Sequence, residues 1–208
     1  MAMFVKIGNP VNFAELLSSD DLRKHLTAVA FLLGEKEHRE VFLPRLLEIC
    51  RTMDFQKESK SKQEQSFRIM AARAMGQIIN RVGFDDRKEL HTGCVRWFDE
   101  LTQTQEMDSV FSGIWGFTDL GVPPEKTIER LHEIATGGRL NREPPQISAR
   151  GMAFRSIAKL DRTLAETLVD YECCREYLQG IEHWLAESEP NSIIYNELLD
   201  EARWLRRD

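Results

Sequence analysis

Few side chains in this sequence are spaced to do chemistry. His91 and Cys94 stand three residues apart in a segment of helical pattern, so both could reach one metal ion, yet no second ligand pair follows at zinc-like spacing. A structural role for both is the better reading. Cys173 and Cys174 are adjacent, a poor geometry for a mutual disulfide. Their acidic neighbours, Glu172 and Glu176, would raise rather than lower a thiol pKa, which argues against a nucleophile. Glu125, Glu129 and Glu133 recur every four residues among Lys126, Arg130 and His132, as on a solvated helix face rather than in an acid/base pair. Gly137 and Gly138 precede Arg139, but no strand leads into them and no Walker-type lysine follows. No catalytic, metal-binding or cofactor-binding residue is assigned on these grounds.

The remaining candidate is a basic stretch, FRIMAARAMGQIINRVG at 67–83, with three arginines and no acid in a chain of formal net charge −6. Phe67, Met70, Ala71, Ala74 and Ile78 recur at helical spacing and share one face. Arg73, Gln77 and Asn80 point away from that face, and Arg68 flanks it. The same helix returns 82 residues later as ARGMAFRSIAKL, where Arg155 and Lys159 take the positions of Arg73 and Gln77. Between them VFSGIWGFT at 110–118 fits one unit, pairing Trp115 with Met75 and Gly116 with Gly76. That alignment places Gly113 and Phe117 at the positions of Arg73 and Gln77.

The elements that would hold these residues are almost all helices. Helical periodicity covers 21–34, 38–52, 67–80, 86–101, 107–120, 124–136, 147–160 and 163–187, with almost no strand signal. Ser18, Ser19, Asp20 and Asp21 offer N-cap oxygens to the first long helix, and Gly34 lies where it could end it. Pro123 and Pro124 suit a helix start. Polar connections at 55–65 and 136–146 read as mobile surface loops. Hydrophobic content of 42% and charged content of 30% describe an ordinary soluble globular chain, and four irregularly spaced cysteines do not make a secreted disulfide scaffold. With neither a signal-peptide pattern nor an apolar run of spanning length, the expected location is cytoplasmic.

Here the residues resemble a known family, the HEAT repeats. Phe67, Arg68, Ala71, Ala72, Ala74, Met75 and Gly76 follow that family's second-helix pattern, and Pro44 in VFLPRLLEIC matches its first-helix proline. Lys62 stands about where the family carries an aspartate. The resemblance implies an all-α fold: a right-handed α-solenoid of about four HEAT-like helical hairpins with capping helices. Residues 1–20 would form the N-terminal cap, 21–188 the repeats and 191–208 the C-terminal capping helix, all in one domain. Small residues such as Ala71, Ala74 and Gly76 would let helix axes approach closely. If second helices line the inner surface, Arg73, Gln77, Phe117, Arg155 and Lys159 form one row along a concave groove, suited to an acidic segment of a protein partner. Ordinary solubilising charge is the plainer alternative, and core packing is expected for most of the four tryptophans.

Charge is unevenly spread. Residues 161–208 hold 12 acidic and 5 basic residues, a net of −7, which leaves +1 for residues 1–160. General nucleic-acid binding wants a domain-wide basic excess, so a non-enzymatic scaffold, adaptor or immunity-type inhibitor is the leading expectation. A helical-repeat DNA-repair protein using the same groove and a HEAT-like lyase or cofactor-handling helper are the alternatives.

Overall fold

Side-chain caps open many of the helices. Asp21 accepts a hydrogen bond from the Arg23 backbone N–H at 2.9 Å, Ser61 from that of Glu64 at 3.2 Å, and Ser148 from that of Gly151 at 3.0 Å. Gly83 and Gly121, both at φ 82°, leave two of the helices in the left-handed region that glycine adopts without a Cβ penalty.

The computed structural model of the chain describes residues 12–34, 40–52, 61–104, 106–121, 125–137, 148–188, 190 and 193–206. Among them it is all-α: α1 (Phe13–Ser18), α2 (Leu22–Gly34), a 3₁₀ turn (Glu40–Phe42), α3 (Leu43–Thr52), α4 (Lys62–Val82), α5 (Glu89–Thr102), α6 (Met107–Leu120), α7 (Glu125–Thr136), α8 (Ala149–Leu160), α9 (Arg162–Thr167), α10 (Glu172–Glu187) and α11 (Ile193–Arg206). The expected helix at 107–120 coincides with α6. The pattern at 163–187 divides into α9 and α10, because the chain turns at Leu168, whose N–H bonds to Ala165 O, and Tyr171, whose N–H bonds to Leu168 O. Leu168 at the turn is buried, so the break itself packs into the core. Residues 1–11 of the expected cap, Pro123 and Pro124, and most of the connections at 55–65 and 136–146 lie outside the described residues.

Helices α2, α4, α6 and α8 pack each against the next in chain order. Against this row lie α3 on α4, α5 on α6, and α7 and α10 on α8, with α11 on α10. One continuous core runs through the described residues, with Leu32, Phe67, Phe98, Phe117, Phe154 and Ile181 all at most 1% exposed. Burial of such side chains, each worth about 1.5–3 kcal/mol, outweighs the weak propensity of any single short helix.

Two features fix how α6 sits. A Cβ added to Gly76 would lie 2.5 Å from the carbonyl oxygen of Gly116, and one added to Gly116 would lie 2.7 Å from the ring of Phe98. A Cβ on Gly113 would meet the Phe98 carbonyl at 2.6 Å. The glycines therefore let α6 press on α4 along one side and α5 along another. The second feature is charged. Arg68, 3% exposed, reaches from α4 to Ser109 Oγ at 2.6 Å and Glu106 Oε2 at 3.1 Å. Glu106 in turn accepts the backbone N–H groups of Asp108 and Ser109, capping α6. Arg150, 82 residues after Arg68, is buried in the same way and ion-pairs with Glu176 of α10.

Gly76→Ala should lower stability by about 1–3 kcal/mol, because the group it strikes is backbone and cannot rotate away. Gly34→Ala, with nothing within 4 Å of the added methyl, should be neutral or stabilising. Denaturant midpoints of the two variants test this, and equal midpoints would refute the close approach. Removing Arg68 alone should cost about 3–5 kcal/mol, since Glu106 would keep its charge in a mostly buried place. A double-mutant cycle of Arg68→Ala and Glu106→Ala should then show strong non-additivity.

Candidate functional site

The outward side of the α4–α6–α8 row carries the sequence candidates, with one correction. Arg73 and Gln77 project from α4, and both donate to Asp119 Oδ2 on α6, at 2.8 Å and 3.3 Å. Arg155 and Lys159 project from α8. Phe117, expected beside them, is instead 1% exposed and packs edge-on against Phe98 with ring centroids 5.6 Å apart. The residues of α6 that face the row are Trp115 and Asp119. Aligning α6 by repeat had placed Gly113 and Phe117 there, two residues away. Two residues are a rotation of about 200° on a helix, enough to exchange its inner and outer faces. The missed signal lay in α6 itself: Val110, Ile114, Phe117 and Leu120 form its own apolar stripe, which leaves Trp115 and Asp119 off it.

Trp115 is the centre of the arrangement. The guanidinium of Arg73 lies over its ring at 4.8 Å and that of Arg155 at 5.4 Å, one from each flanking helix. Each such contact contributes on the order of 0.5–2 kcal/mol, depending on how far water is excluded. Thr118 and Ser156 join α6 to α8 just inside, with their hydroxyl oxygens 2.5 Å apart. The expected core role of the tryptophans thus holds fully for Trp97, 1% exposed, whereas Trp115, Trp184 and Trp204 are half-buried.

Charges on this side are unevenly neutralised. Asp119 answers Arg73, but the guanidinium of Arg155 has a buried Nε with no hydrogen-bond partner. Lys159 is held below the ordinary lysine range by partial burial and by Arg155 beside it, offset in part by Glu201 and Asp119. Glu201, from α11, accepts the hydroxyl of Tyr177, and burial raises that phenol above its usual range. Beyond Arg155 the surface falls into a cleft of about 460 Å³ between α8, α10 and α11.

The other chemical candidates are accounted for by packing. His91 is fully buried: its Nδ1 accepts the Asp85 backbone N–H at 3.1 Å, which leaves Nε2 to donate to Glu40 at 3.0 Å. Both ring nitrogens are therefore used within the protein, tying the 3₁₀ turn to α5. Glu40 also accepts from Lys88 at 2.7 Å, and that bond leads the effects holding its carboxyl below the usual range. Burial pushes the Cys94 thiol up to about 12 and raises Cys50 and Cys173 as well. For Cys173 burial is the larger cause and Glu176 the smaller, so these thiols stay protonated for a stronger reason than acidic neighbours alone. Glu129 and Glu133 lie on the exposed side of α7, where Glu133 pairs with Arg130 at 2.6 Å. Gly138 and Arg139 lie outside the described residues. Among the described residues no group of three or more His, Cys, Asp or Glu side chains could hold a metal ion, and no helix is long and apolar enough to cross a membrane.

No family model, curated protein or solved structure matches the chain.

Lys159→Gln should raise the denaturant midpoint at neutral pH, because the charged ammonium is disfavoured in the folded state. The penalty is complete below the depressed folded pKa and is relieved as pH climbs from there toward the ordinary lysine value of 10.5. The advantage of the variant should shrink over that alkaline interval. An advantage that stays constant across it would contradict the burial and repulsion described.

Proposed function

We propose that this chain is a non-enzymatic, HEAT-like protein-binding module. In this reading α4, α6 and α8 are second helices of successive hairpins in a right-handed α-solenoid, and their outward sides form its concave face. A partner protein docks there through an acidic segment. The observation that carries the proposal is the unbroken row Arg73, Trp115, Arg155, in which α4, α6 and α8 each contribute one residue to a single cationic and aromatic strip. Lys159 and Gln77 extend it on the side of Asp119.

Three further features support it. Each of α2, α4 and α6 packs on its counterpart in the next unit, as stacked hairpins would. The Arg68 to Glu106 bond crosses from one unit to the next, with Glu106 just ahead of the second helix of its unit, where the family usually carries an aspartate. Arg150 repeats the buried position of Arg68 and takes its carboxylate from the following α10. An aromatic platform flanked by arginines has the composition of an interface hot spot rather than of scattered solubilising charge.

A nucleic-acid groove is less well supported. Asp119 and Glu201 stand directly beside the cations, so a phosphate backbone, charged at every nucleotide, would meet both carboxylates, whereas a peptide can place its acids clear of them. An enzymatic role has no organised set of acid, base or nucleophile behind it on this face.

Affinity capture from lysate on immobilised wild type and on Arg73→Glu/Lys159→Glu, read by quantitative mass spectrometry, tests the proposal. Wild type should retain a protein with an acidic segment, and the reversed variant should lose it by about tenfold or more at low salt, more weakly at high salt. Identical protein sets on both would sink the reading. Salt-sensitive retention of the wild type on immobilised DNA, lost in the variant, would move the assignment to nucleic acid.

A further inference from the structure

We infer that the cleft between α8, α10 and α11 receives a cationic side chain, lysine or arginine, from the partner segment, so that the segment is acidic over Trp115 and basic at its α11 end. The acidic half of that description rests on the function proposed above; the cleft stands on its own geometry. Its volume of about 460 Å³ has room for one long side chain. Trp184 and Leu198 supply apolar wall, while Glu187, Glu197, Glu201 and Arg155 supply the charge among the described residues.

Each part matches a cation on a long stem. Methylenes of lysine or arginine would lie along Leu198, and the charged head would sit against the face of Trp184 within reach of carboxylates. Among the described residues the lining carries three negative charges against one positive, and that positive charge already sits over the Trp115 ring. An anion would therefore be repelled, and a purely apolar side chain would desolvate carboxylates without answering them. Glu187 is engaged by His183 at 3.5 Å and Glu201 by Tyr177, whereas Glu197 has no hydrogen-bond or ion-pair partner among the described residues. The net −7 of residues 161–208 adds a longer-range field of the same sign at this end.

The charge pattern is also a specificity device. A uniformly acidic segment satisfies the strip from Arg73 to Lys159 and is then rejected by the cleft, whereas a uniformly basic one fails at the strip. Only a segment with both charges, in the right order, fits both.

The test uses the full chain labelled with ¹⁵N, observing the indole N–H signals of Trp184 and Trp115 during titration with N-acetylarginine amide or N-acetylglutamate amide. The arginine compound should shift the Trp184 signal saturably, and the glutamate compound should leave it in place. Glu197→Gln should weaken the arginine response by about two- to fivefold, and Glu187→Gln/Glu197→Gln further, in line with partly exposed ion pairs. Absence of a saturable Trp184 shift, an equal response to both compounds, or a response unchanged in the double variant would overturn the inference. Failure of the glutamate compound to move Trp115 counts against the acidic-segment reading alone and leaves the cleft's cation response to be judged on its own result.

Discussion

The rotation of α6 about its own axis is the constraint on which the rest depends. Gly76, Gly113 and Gly116 leave no room for a Cβ between α6 and its neighbours, so this helix can approach α4 and α5 so closely in only one orientation. That orientation sends Phe117 into the core beside Phe98 and turns Trp115 and Asp119 outward. The outward row of Arg73, Trp115 and Arg155 is thus a consequence of packing on the opposite side of the same helix. Close-packed interiors are not continuously adjustable, which is why a residue without a side chain can decide where a tryptophan points.

Electrostatics then shape what packing exposes. The buried arginines Arg68 and Arg150 each ion-pair with a glutamate and belong to the framework. Arg73, Arg155 and Lys159 share fewer counter-charges among more cations, and burial first, then Arg155, lowers the Lys159 pKa. Arginines of one sequence pattern thus divide into two kinds by depth: Arg68 and Arg150 are buried, while Arg73 and Arg155 are half-buried on the outward side.

Much of the helical layout was legible from periodicity because each helix buries a stripe that its own residues define. The span of α6 and the outward placement of Arg73, Gln77, Arg155 and Lys159 follow from that stripe, and the end of α2 from the glycine at position 34. The repeat alignment misled at Phe117, since matching glycines suggested equivalence where Gly76 and Gly116 in fact face each other across a contact. The break between α9 and α10 was hidden because its turn residue, Leu168, is as apolar and buried as a helical one. Glu201 could not be read as a neighbour of Lys159 at all, because the two lie 42 positions apart and become adjacent only when α11 folds back near α8.

Glu106 caps α6 with the same carboxylate that receives Arg68 from α4. One side chain therefore serves as the end of one helix and the counter-ion of another. A fragment cut after Gly83 would carry a guanidinium built for burial and nothing to meet it, while a fragment begun after Glu106 would open on an uncapped helix. A piece of this protein that contains α4 must therefore run through α6 to keep Arg68 with its counter-ion, and a cut in the connection after α4 would part the two.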